Sequence, residues 1–223
     1  MTSKFLLVAA VSVLAFSGSC LAQVPAVTSF SGSTNFLSVD LTNLTLGWSF
    51  TANANLTVSA LGFWDVNPPS PLQNSHQIGL WTASGTLLAS GTVLTNSSLT
   101  GSWAYVSISP VALTSGQTYV VGALQASPFN DTYTRVPVSG GSVATSSLIT
   151  IGTSVVSADS TGFAFPNVAE PTFIARFGPN LIVAPTSTPV VPISGWALAM
   201  IALGLAAAGL LQLRMGRPTS DTV

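Results

Sequence analysis

Leu44-Thr45-Leu46-Gly47-Trp48-Ser49-Phe50-Thr51, followed closely by Leu56-Thr57-Val58-Ser59-Ala60, carries the clearest structural signal in the chain. Leu44, Leu46, Trp48 and Phe50 alternate with Thr45, Gly47 and Ser49, and Leu56, Val58 and Ala60 repeat the pattern. A period of two, with large apolar side chains on one parity, marks a strand buried on one face. Reading outward, Leu61 to Val66 extends the second strand until Pro68, Pro69 and Pro71, which cannot continue a ladder. His76 to Thr82 predicts another strand, Ser84-Gly85 a tight turn, and Leu87 to Thr95 the return. Trp103 to Ile108 alternates again, Ser115-Gly116 turns the chain, and Thr118 to Gln125 is rich in Val and Tyr. Weaker strands are expected near Val143 to Ile151, and Thr172 to Phe177 closes the set with Phe173, Ala175 and Phe177 on one face. No amphipathic pattern of three helical turns occurs between Gln23 and Gly178. The expectation is an all-β, antiparallel β-sandwich or jelly roll over residues 23–177.

Composition narrows the partners. Only 5% of residues are charged, against about 25% in ordinary globular proteins. Between Gln23 and Asn180, Arg135 and Arg176 stand against Asp40, Asp65, Asp131, Asp159 and Glu170. No basic footprint for nucleic acid exists. Ser, Thr, Asn and Gln must cover the surface, with little electrostatic steering of charged partners.

The two ends point to export and a membrane. Lys4 precedes the apolar run Phe5 to Phe16, Ser17-Gly18-Ser19 break it, and Cys20-Leu21-Ala22 places small residues where a signal peptidase reads. Residues 1–22 are therefore expected to be a cleaved signal peptide. An uncleaved anchor is disfavoured by the shortness of the run, and lipidation of Cys20 by Ser17 three places ahead of it. Cys20 is the only cysteine, so the mature chain has no disulfide, thiolate metal site or cysteine nucleophile. At the other end, Trp196 to Leu213 contains no charge and only one strongly polar side chain, Gln212. As a helix it would extend roughly 27 Å, close to the ~30 Å hydrocarbon core of a bilayer. Arg214 and Arg217 follow, so the positive-inside rule puts residues 214–223 in the cytoplasm and the β-domain outside. Residues 178–195, with Pro179, Pro185, Pro189 and Pro192, read as an extended linker. The alternative for its first part is a final edge strand over Asn180 to Ala184.

Two resemblances add to this reading. Val191-Pro192-Ile193-Ser194-Gly195-Trp196, the apolar stretch and the closing Arg214 and Arg217 resemble the sorting tails of bacterial envelope proteins, specifically the IPTL-CTERM relatives of PEP-CTERM tails. Pro192, Trp196 and the arginines match by position. Ile193-Ser194 departs from the usual Thr-Leu, Gly195 replaces a frequent acid, and the tail runs on to Val223. Over residues 191–217 the resemblance implies an exosortase-like membrane protease as partner, with release or transfer to the cell surface; a plain tail anchor is the alternative. Residues 36–177 are similar to an uncharacterised exported domain family. The match is carried by Leu46-Gly47-Trp48-Ser49-Phe50-Thr51, Leu56-Thr57-Val58-Ser59-Ala60-Leu61-Gly62-Phe63-Trp64-Asp65, Ser75-His76-Gln77-Ile78-Gly79-Leu80-Trp81, Ser84-Gly85-Thr86-Leu87-Leu88-Ala89-Ser90 and Gly116-Gln117-Thr118-Tyr119-Val120-Val121-Gly122. That resemblance implies a β-sandwich and no particular activity.

Candidate chemistry is sparse. His76 is the only histidine, and Asp65, across the proline loop, is its expected partner. A structural hydrogen bond is the plainer reading of such a pair. A hydrolytic triad would need an activated serine, and no Gly-x-Ser-x-Gly elbow occurs. No cofactor is expected; calcium is the one candidate, through loop oxygens of Asp65, Asn67, Asn74, Asn130 and Asp131. Five scattered acids make a poor glycosidase pair. Trp48 and Trp103 read as core. Trp64 and Trp81, beside the proline loop, are expected to be partly exposed and able to stack on a sugar. The expected function is thus a non-catalytic exported module anchored at the membrane or cell surface, or in extracellular matrix. The alternative is a carbohydrate-binding module using Asp65, His76, Trp64 and Trp81 on a surface glycan, with a hydrolase a distant third.

Overall fold

The alternating segments pair as two facing sheets. The computed structural model of the chain describes residues 22–36, 43–66, 72–125, 131–158 and 161–186, without the side chains of residues 34–36. One sheet has the order β1 (Val24–Pro25), β16 (Pro179–Pro185), β5 (Leu56–Trp64), β9 (Trp103–Leu113), β8 (Leu99–Thr100). The other has the order β14 (Val168–Glu170), β13 (Ile149–Val156), β4 (Leu44–Ala52), β10 (Thr118–Gln125), β6 (His76–Thr82), β7 (Leu87–Val93). Two small sheets complete the fold: β15 (Phe173–Phe177), β11 (Tyr133–Pro137), β3 (Thr34–Phe36), and β12 (Ser142–Thr145) with β2 (Val27–Ser31). Every pairing is antiparallel, and no helix occurs among the described residues. The result is a β-sandwich-like all-β fold.

The core forms where the inward parities of the two sheets meet. Trp48, Phe50 and Ala52 of β4, Ile78 and Leu80 of β6, and Tyr119 and Val121 of β10 pack in one cluster with Leu56, Val58, Leu61 and Phe63 of β5 and Leu181 and Val183 of β16. Trp48 is fully buried, and its indole N–H donates to the Pro179 carbonyl (3.0 Å), joining the sheets by a polar contact as well. The two expected tight turns are present, with Gly85 at φ +92° and Gly116 at φ +77°, a region that glycine enters without Cβ strain.

The region around Val143 to Ile151 is two strands, β12 and β13, which pair with different partners across a short turn. The linker expected from residue 178 needs a larger correction. Pro179–Pro185 is a strand of the domain, and it is interior, bonded to β5 on one side and β1 on the other. Its prolines stand at the two ends of the strand, where they remove no ladder bond from its middle. Asn180, Leu181 and Val183 between them are fully buried. The compact unit therefore runs to Thr186 rather than 177.

Asn180 explains how a polar residue sits there. Its side-chain oxygen accepts N–H bonds from Val27 (3.0 Å) and Leu181 (2.8 Å). Its amide nitrogen donates to the Val27 carbonyl (2.9 Å) and the Tyr105 hydroxyl (3.2 Å). The carboxamide thus serves Val27 as an adjoining peptide group would. Burial pushes the Tyr105 phenol above its ordinary range, with the Asn180 hydrogen bond acting in the opposite sense.

Candidate functional site

His76 begins β6 on the inward parity and is buried. Its ring lies flat on Phe63 (centroids 3.5 Å apart, 4° between planes). Its partner is Asp131, not the expected Asp65: Nε2 and the Asp131 carboxylate are 3.0 Å apart. Asp131 also accepts the backbone N–H groups of Gln73 (2.8 Å) and Asn74 (2.7 Å), while its own carbonyl accepts from the Gln125 amide (2.9 Å). One carboxylate therefore ties the chain before β6 to the chain after β10. Burial would raise its pKa. The bonds from His76, Gln73 and Asn74 act the other way and hold the carboxyl below its ordinary 3.8. Asp65 is likewise buried, its N–H bonded to the Ser102 carbonyl (2.8 Å).

This arrangement is poor for catalysis. A general base must reach a substrate proton, yet His76 is only 2% exposed and Nδ1 has no hydrogen-bond partner among the described residues. Of the calcium candidates, Asp131 takes N–H donors on both oxygens, and Asn67 and Asn130 lie outside the described residues. Among the described residues, no group of three or more His, Cys, Asp or Glu side chains is placed to hold a metal.

The Asp131 bonds make a pH-dependent clasp. A carboxyl whose pKa is lower folded than unfolded stabilises the fold above its unfolded value, about 4, and that contribution is lost as pH falls through the lower folded value. Asp131→Asn turns an acceptor-only group toward N–H donors and should cost about 2–3 kcal/mol near neutral pH. Urea midpoints of wild type and variant should converge as the pH drops below 4; a constant gap would contradict the clasp.

Trp81 departs from the expectation of partial exposure. It shares the outward parity of β6 with Gly79, yet it is only 3% exposed. Gly79 lies opposite Gly122 of β10, and Gly122 opposite Gly47 of β4. A Cβ on Gly79 would come within 2.3 Å of the Trp81 indole and one on Gly122 within 3.4 Å, so the indole lies in the space these two glycines leave. Phe163 (5.2 Å between centroids) and Phe165 (6.2 Å) pack beside it. The segment carrying them is fixed to the sheet, since the Ala164 N–H donates to Thr45 Oγ1 (3.0 Å). No sugar can stack there.

Trp64 is different. It ends β5, directly across from Trp103 of β9, and remains half-buried. Phe30 of β2 meets it edge-on (5.1 Å, 68°) and stacks on the core ring of Phe177 (4.6 Å, 7°). Between β2 and the turn from β8 to β9 lies a groove of about 540 Å³, lined by Phe30, Trp64 and Trp103 and by the polar residues Ser29, Thr100 and Ser102. Of the four expected ligand residues, only Trp64 reaches an open surface of this kind.

A second polar cluster was not anticipated. Arg135 and Arg176 are cross-strand partners on β11 and β15, and both guanidinium groups donate to the Tyr133 hydroxyl. Glu170 of β14 pairs with Arg176 and accepts from Ser154 Oγ (3.0 Å). Arg176 is 4% exposed, and a buried pair of this sort fixes geometry more than it adds stability. Conjunction of Tyr, Arg and Phe at alternate positions on short strands gave no signal distinguishable from loop sequence.

The sorting residues Val191, Pro192, Ile193, Ser194, Trp196, Arg214 and Arg217 lie outside the described residues, as do residues 1–21 of the expected signal peptide and the expected span. Among the described residues, no helix is long and apolar enough to cross a membrane.

A family model described as a domain of unknown function (DUF4082) matches residues 31–171, well over half of the chain. The chain belongs to the DUF4082 family. The match begins at the last residue of β2 and stops before β15, so the DUF4082 boundaries omit three whole strands of this fold, β1, β15 and β16. No curated protein matches this DUF4082 chain.

Proposed function

We propose that this DUF4082 protein is a non-catalytic exported module, held at the bacterial membrane or envelope surface by its C-terminal tail. One observation carries the non-catalytic part: its only histidine is sealed between Phe63 and Asp131 and builds structure instead of facing a substrate. The outward placement rests on the sequence of the two ends, with a leader over residues 1–22 and an apolar, arginine-tipped stretch over 196–217. In this reading Pro192 and Trp196 belong to a signal read by an exosortase-like protease, and the module acts at the cell surface or in extracellular matrix. It uses no cofactor and binds no nucleic acid, in keeping with five acids against two arginines over residues 23–180.

Fractionation tests the placement. The full chain should pellet with membranes and resist an alkaline carbonate wash, and a chain ending at Thr186 should not pellet. Full-length protein that stays in the supernatant would refute anchoring. A broad hydrolase screen tests the rest: wild type and His76→Ala should give the same background, and turnover lost in the variant would make the protein an enzyme.

A further inference from the structure

We infer that the groove between β2 and the β8–β9 turn binds a neutral polysaccharide. The inference rests on the outward-facing module reading for its biological setting but not for its chemistry. A pyranose ring has an apolar C–H face and a rim of hydroxyls. A protein site that takes one needs a flat aromatic surface beside hydrogen-bonding groups.

The groove offers both. Trp64 presents a half-buried indole, braced by Phe30 and set opposite Trp103. Phe30 is itself held against Phe177, so the aromatic wall is rigid before any ligand arrives. Ser29, Thr100 and Ser102 line the same groove, and their hydroxyls make no hydrogen bond among the described residues. Its volume, about 540 Å³, falls in the range of ligand pockets. Among the described residues, no ionisable side chain lines it. That absence selects among ligands: an anionic polymer or a charged peptide finds no counter-charge there, whereas an uncharged polyol needs none.

Position agrees with this use. Trp64 stands at one end of β5, where its N–H bonds the Gly178 carbonyl (2.8 Å). The folded chain leaves by Thr186, whose N–H bonds the Asn55 carbonyl (2.8 Å) at the opposite end of the same strand. At ~3.3 Å per residue, the nine residues of β5 separate the two points by roughly 30 Å. The groove therefore lies at the end of β5 opposite to Thr186.

The full chain, in detergent micelles, should be tested by affinity electrophoresis in gels containing hydroxyethyl cellulose, galactomannan or xylan, with polygalacturonate as the charged comparator. At least one neutral polymer should retard wild type, with a change in tryptophan emission, and polygalacturonate should not. Trp64→Ala should weaken binding at least 10-fold. Should that variant fail to unfold cooperatively, the double variant Thr100→Ala/Ser102→Ala, confined to the rim, should weaken binding several-fold with an unchanged thermal midpoint. The inference fails if no neutral polymer retards the protein, if only the anionic one does, or if a folded Trp64→Ala binds as wild type. It fails equally if Trp64 proves to be needed for self-association. A membrane-free chain that still binds would sink the anchoring proposal and leave the groove intact.

Discussion

A chain ended after Gly178 should show no cooperative unfolding, whereas one ended after Thr186 should unfold in a single transition. The difference is eight residues, of which Pro179–Pro185 form β16. Removing them leaves β5 without its partner on one side and strips β1 from the sheet. It also removes the carbonyl that accepts the Trp48 indole N–H, and the Asn180 side chain that holds Val27. A point version isolates the last contribution. Asn180→Ala leaves the Val27 N–H and C=O buried without their side-chain partner, at about 1–3 kcal/mol for each unsatisfied group, so the loss should reach ~3 kcal/mol. Urea denaturation followed by tryptophan emission measures both. A cooperative transition in the 178-residue chain would show that the strand is dispensable.

Trp48→Ala should be the most damaging single substitution in the core. The side chain is fully buried between Phe50 and Phe177, with centroids 5.5 and 6.3 Å away. Truncating a buried tryptophan costs about 3–5 kcal/mol through lost burial and the cavity left behind. Here the Pro179 carbonyl also loses its donor, worth about 1 kcal/mol or more. Set against a total stability of about 5–15 kcal/mol, the domain should be partly unfolded at room temperature. Trp48→Phe keeps most of the apolar volume and loses only the N–H, so it should fall well between the two. Equal losses in both variants would mean that the hydrogen bond, not the packing, dominates.

Legibility followed the simplicity of each strand's surroundings. The second half of β4 and the first half of β5 are buried on one parity, so Trp48, Phe50, Leu56 and Val58 were plain from alternation alone. β16 was not, because Pro179 and Pro185 read as breakers unless one knows that they fall at strand ends, and because Asn180 reads as surface until Val27 is seen beside it. The His76 partner lies 55 residues away, beyond any local rule, and Asp65 was merely the nearer acid. For Trp81 a clue did exist. Its parity is that of Gly79, opposite to Ile78 and Leu80, which put it on the outer face. What sequence could not supply is that Phe163 and Phe165 return to cover that face. Trp64 kept its expected half-exposure, and among the described residues no such segment crosses it.

The lengthwise offset between Trp64 and Thr186 has a mechanical consequence. Tension entering beside Trp64 and leaving through the carboxyl end runs parallel to β5 and β16, so their ladder is sheared and its bonds share the load. Tension applied between Val24 and Pro185 would instead peel β1 from β16, a ladder of only two residue pairs. The fold is thus built to hold a tether strongly along one axis and to yield along another.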